Sequence, residues 1–157
     1  MKNVAILAIV ALSFVWAGLL MGISFIETPL KFQAPGVTLL IGVGIGNLVF
    51  HALNNVETIL FLLVLAGYFF SDTPKYILQL ILLTGLVLLI QMYWLMPNLD
   101  LRIAMMQKGT DPAPSSIHLY YVAGEILKII LLLILGIKTF YYKQDKISQS
   151  LNTSQSL

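Results

Sequence analysis

The chain has 157 residues and no cysteine. Disulfides, thiolate metal centres and cysteine nucleophiles are therefore excluded. It is also poor in charge: 10% of residues are Asp, Glu, Lys or Arg, against about 25% in a soluble domain. The formal net charge is only +2, so no nucleic-acid partner is expected. No polar stretch is long enough to make a separate soluble module. No serine stands beside either histidine in a nucleophile context, which argues against a hydrolytic triad.

What the chain has instead is apolar length. It is 59% hydrophobic with mean hydropathy +0.91. These values predict an all-α integral membrane protein, a four-transmembrane-helix bundle occupying residues 1–142, followed by a flexible cytoplasmic tail over 143–157. The run from Val4 to Ile26 is too long for a signal-peptide core and lacks a small-residue cleavage site, so it reads as a retained first span. The spans are expected at about Val4–Glu27, Thr38–Phe70, Lys75–Met96 and Ser116–Tyr142. Gly18 and Gly22 in the first span have the GxxxG spacing of close helix packing. Tyr93 and Trp94 suit an interfacial aromatic belt.

The fourth span organises the rest. His118, Tyr121, Glu125 and Lys128 fall on one helical face. In the second span Asn47, His51, Asn54 and Thr58 form a polar stripe bordered by Glu57, and in the third Gln91 lies on a face with Thr84 and Asn98. Ionisable groups at membrane depth are costly and normally face a protein interior or a wet cavity. Counting along the helices places Glu57, Gln91, Glu125 and Lys128 near mid-membrane, His51 and His118 higher, and Ser24, Glu27, Asn98 and Asp100 at the outer mouth. The other half of the bundle reads as nearly pure Leu, Ile and Phe. The pattern predicts a pocket open on one side and plugged on the other.

Lys2, Lys75, Lys138, Lys143 and Lys146 would share one side, and Lys31, Arg102 and Lys108 the other. By the positive-inside rule both termini are expected in the cytoplasm of a cell whose inner membrane holds the chain. Each half carries a His and then a Glu six or seven residues later, followed by a leucine-rich run. That correspondence suggests a 2+2 internal repeat.

Three chemistries fit these residues. Glu57 or Glu125 could simply pair with Lys128 while the amides glue helices together. His51, Glu57, His118 and Glu125 could hold a metal ion, or the two histidines could ligate haem. Lys128 could instead anchor a small polar or anionic ligand, with Glu57 and Glu125 as proton carriers and His51 and His118 as an outer relay. The site expected from sequence is thus His51, Asn54, Glu57, Gln91, His118, Tyr121, Glu125 and Lys128. The leading expectation is a ligand-, metal- or haem-binding membrane protein. The alternative is an accessory subunit of a larger membrane complex, or a homo-oligomer, with no site of its own.

The segments TPLKFQAP (Thr28 to Pro35), MPNLDLR (Met96 to Arg102) and SSIHLYYVAGEILK (Ser115 to Lys128) carry a resemblance. Over about residues 10–137 the chain resembles a family of small bacterial four-helix membrane proteins of uncharacterised function. More distantly it is similar to the copper-resistance D-like group. That resemblance implies copper handling or haem-related chemistry. The methionine-rich and cysteine motifs of a copper(I) binder are absent from this sequence.

Overall fold

The computed structural model describes residues 2–110 and 112–155. Four long helices account for most of it: α1 (Lys2–Lys31), α2 (Leu39–Phe69), α3 (Lys75–Gln107) and α4 (Ile117–Gln155). Each contains an apolar window long enough to cross a bilayer. In lipid every backbone polar group must be bonded internally, and continuous helices achieve this within each span.

The helices form a ring in which each touches its sequence neighbours, and α1 closes the ring against α4. Antiparallel order follows from the pairs that meet. Trp16 of α1 reaches Glu57 of α2, Thr58 of α2 reaches Met92 of α3, Gln91 of α3 reaches Glu125 of α4, and Ser24 of α1 reaches Glu125. The result is an up-down-up-down bundle of the kind short loops favour. With four spans, both ends of the chain lie on one side of the membrane.

The solubility pattern is inverted relative to a water-soluble bundle. Leu82, Leu86, Leu89 and Ile130 are exposed, while Glu57, Gln91, Glu125 and Lys128 are buried. Towards the termini the interior is a dry plug of Ile9, Val64, Ile77, Ile81 and Leu135. Ser13 and Thr84 inside that region return their hydroxyls to their own helices, donating to the carbonyls of Ile9 and Leu80. The expected apolar half is therefore present.

Three features differ from the expectations. First, α1 and α3 run past Glu27 and Met96, to Lys31 and Gln107. Each contains a widened π turn, Gly22–Glu27 and Gln91–Leu95, just before Pro29 and Pro97. Proline has no N–H and its ring collides with the carbonyl four residues back. A π turn immediately upstream shifts those carbonyls and lets the helix continue. Second, Gly18 and Gly22 have no neighbouring helix within 4 Å of a built Cβ, so their GxxxG spacing is not a packing seam. Close approach occurs elsewhere, as at Gly124, where a Cβ would meet Gln91 Nε2 at 2.8 Å. Third, the backbone of the segment expected as a flexible tail is helical from Lys143 to Gln155, continuous with α4, and Ser156 and Leu157 lie outside the described residues. Tyr142 OH donates to the Asp72 carbonyl at 2.7 Å, and Lys146 pairs with the Asp72 carboxylate. These contacts clamp the start of the extension to the α2–α3 turn.

Candidate functional site

Near the middle of the bundle all four helices send polar side chains to one place. Lys128 of α4 is at the centre, 0% exposed. Its Nζ donates to Glu57 Oε1 at 2.5 Å and lies 3.0 Å from Glu125 Oε1. Glu125 and Lys128 are three residues apart on α4, so one helical turn brings their heads together. Glu57 comes from α2, across the bundle.

The surrounding groups hold this triad in place. Trp16 Nε1–H donates to Glu57 Oε1 at 2.9 Å. Gln91 Nε2 donates to Glu125 Oε1 at 2.9 Å and to the Tyr121 carbonyl at 3.0 Å. The absence of a side chain on Gly124 makes room for that amide. Ser24 Oγ donates to Glu125 Oε2 at 3.4 Å. Tyr121 OH donates to Asn54 Oδ1 at 3.2 Å. Both residues that α1 and α3 direct at Glu125 stand in the widened turns: Ser24 inside the first and Gln91 at the start of the second. π turns inside helices occur frequently at functional sites.

Two carboxyls face one ammonium. With all three ionised the triad carries a net charge of −1 in a water-poor interior. Every hydrogen bond to Glu57 goes to Oε1, and Glu57 Oε2 is buried without a partner, as are Asn54 Nδ2 and Gln91 Oε1. Buried polar atoms without partners are uncommon enough to require an explanation. An unpartnered carboxylate oxygen beside an excess negative charge is where a proton can sit and leave.

Of the eight residues expected from sequence, six converge here: Asn54, Glu57, Gln91, Tyr121, Glu125 and Lys128. The histidines do not. His51 is exposed and pairs with Asp100 through Nε2, at 3.1 Å, in a shallow depression between α2 and α3. His118 is exposed at the rim of a separate cleft. The physical reason is distance along the helix. Six or seven residues separate each His from the Glu on its own helix, about 9–10.5 Å of rise. Among the described residues no three His, Asp or Glu side chains come together as metal ligands. The set His51, Glu57, His118 and Glu125 is therefore not assembled, nor do the two histidines share one opening for haem.

Sequence reasoning missed Trp16. Its signal was position: a tryptophan in mid-span, where aromatic belts do not reach, needs a buried acceptor for its indole N–H.

On the side of the bundle away from the termini lies a cleft of about 340 Å³. It is lined by the end of α1, the first turns of α2, the last turns of α3 and His118. Phe50 forms part of its wall and packs on Tyr121, with ring centroids 5.1 Å apart. Tyr121 in turn bonds Asn54, whose neighbour one turn on is Glu57. The cleft is thus connected to the triad by packed side chains. Compared with protein-family models, curated proteins and solved structures, the chain matches none.

Proposed function

We propose that this is a small multi-pass protein of a bacterial inner membrane that binds a small ligand in the outer half of its bundle, with binding linked to proton exchange at the Glu57–Lys128–Glu125 triad. The observation that carries the reading is the shared ammonium. Two carboxyls converge on Lys128, and one carboxylate oxygen, Glu57 Oε2, has no partner. Gain of a proton at that oxygen neutralises the cluster, and its loss restores the negative charge. Tyr121 and Phe50 connect the triad to the cleft, so a ligand that shifts Phe50 also shifts the shell around the carboxyls. The lysine asymmetry favours cytoplasmic termini and a cleft facing outward.

The test is infrared difference spectroscopy of the purified protein across pH. A carboxylic-acid band that titrates in the wild type and is lost in Glu57→Gln is expected. Identical spectra for the two proteins would remove proton exchange at Glu57 from the reading.

One observation favours the accessory-subunit alternative: the triad is at most 1% exposed, so it can hold helices together without meeting any ligand. In that case the titrating band is absent, and the protein co-purifies with larger membrane subunits.

A further inference from the structure

The cleft has a chemical character distinct from that of the triad. Two cations face it, Lys31 at the end of α1 and Arg102 near the end of α3. The Lys31 side chain is only 9% exposed and lies 5.7 Å and 5.6 Å from the ring centroids of Phe32 and Phe50. Its carboxylate neighbour, Glu27, is 3.4 Å away and one-third exposed. Arg102 has no acidic partner among the described residues. A third polar group, Asn47 Oδ1, is buried there without a partner. Since amide oxygen and nitrogen can exchange places by a flip, that side chain can present either a donor or an acceptor.

The remaining lining is apolar and includes Val43, Leu99 and Ile103. A site for free inorganic phosphate would not need those walls, and a site for a neutral hydrocarbon would not need two cations. Charged heads on apolar bodies need both. The volume also falls in the range of small-molecule sites.

We infer that the cleft binds an anionic amphiphile, with a phosphate or carboxylate head against Lys31 and Arg102, and an apolar chain along Val43, Phe50, Leu99 and Ile103. The inference rests on the proposed ligand-binding reading and names the ligand class. Arg102 supplies a fork of donors suited to either head group. Lys31 is held as a point charge between two rings, which limits the side-chain entropy lost on binding. Gly46 makes this possible: a Cβ there would meet Lys31 Nζ at 2.7 Å. The head could belong to an anionic phospholipid of the surrounding leaflet or to a free single-chain amphiphile arriving from the aqueous side.

Native mass spectrometry of the full chain, released from neutral detergent, tests this with three probes: phosphatidylglycerol, dodecyl phosphate and dodecyltrimethylammonium. At least one anionic probe should bind and the cationic one should not. Arg102→Gln and Lys31→Gln should each weaken the anionic adduct about tenfold or more, the effect of losing one charge-assisted contact. Gly46→Ala should weaken it while leaving both cations in the chain. Retention of phosphatidylglycerol alone identifies the leaflet as the source, and retention of dodecyl phosphate alone identifies the aqueous side. Equal binding of the cationic probe, or unchanged binding in all three variants, overturns the inference. The two proposals fail separately: a ligand-free protein without a titrating carboxyl band removes proton exchange at Glu57 and leaves the anionic adduct standing, whereas loss of charge selectivity among the probes overturns the cleft inference and leaves that band untouched.

Discussion

Two ion-pair clusters, built from the same kinds of group, sit at different depths of this bundle. Midway along the bundle, Lys128 is shared by Glu57 and Glu125, with no exposure to speak of. At the end near the termini, Lys146 meets Asp72 with its side chain 44% exposed. The pair near the termini is partly open to solvent, so forming it gains little. The inner triad has no alternative solvent. Its members must satisfy one another, and removing one strands the others. The contrast teaches that the number of ion pairs says little about their importance, whereas depth and the count of unmatched charges say a great deal.

Lys128→Met should show the contrast most strongly. It leaves two carboxyls facing each other in the interior, and a loss of about 3–5 kcal/mol is expected. Denaturant unfolding in detergent micelles would read it. Adding Glu57→Gln to that variant should restore part of the loss, because one stranded charge is then gone. If Lys128→Met unfolds like the wild type, the triad does not organise the bundle.

Trp16→Phe comes next. It keeps most of the aromatic volume but removes the indole donor to Glu57 Oε1, at an expected cost of about 1–3 kcal/mol. Gly124→Ala should cost a similar or smaller amount by pushing Gln91 away from Glu125. Its more telling readout is the infrared carboxyl region, which should change when Gln91 moves and stay fixed if that amide is incidental.

The smallest effect belongs to the pair near the termini. The hydrogen bond from Lys146 holds the Asp72 carboxyl below the usual carboxylate range. A depressed folded-state value means that the pair contributes above the ordinary carboxylate range and is lost as pH falls through the lowered value. Melting of Asp72→Asn and wild type should therefore differ slightly at neutral pH, converge in strong acid, and converge also at high salt. A difference that survives high salt would show that Asp72 is more buried in effect than its exposure indicates.

Much of this was legible in the residues. Glu125 and Lys128 announce their contact by a three-residue spacing, and the cost of charge in hydrocarbon predicts that Glu57 and Gln91 turn inward to meet them. The count along the helices already set the histidines above the glutamates; the mistake was to join them into one ligand set because they share a helical face. His118 shares a face with Glu125 yet stands two turns away from it. Gly18 and Gly22 misled for a related reason: in a chain whose lipid-facing and buried sides are both apolar, a small-residue spacing does not say which side it occupies. Trp16 could have been singled out by its depth. The widened turns were hidden, since Pro29 and Pro97 read equally well as helix ends.

Those widened turns also set the phase of everything beyond them. Each inserts about one surplus residue, and one residue is about 100° of rotation on a helix. Lys31 and Arg102 both lie downstream of such an insertion, so their bearing around the bundle axis depends on it. Deleting a single residue from either turn would preserve composition, length and hydropathy almost unchanged, yet swing one cation a quarter-circle or more away from the opening it shares with the other.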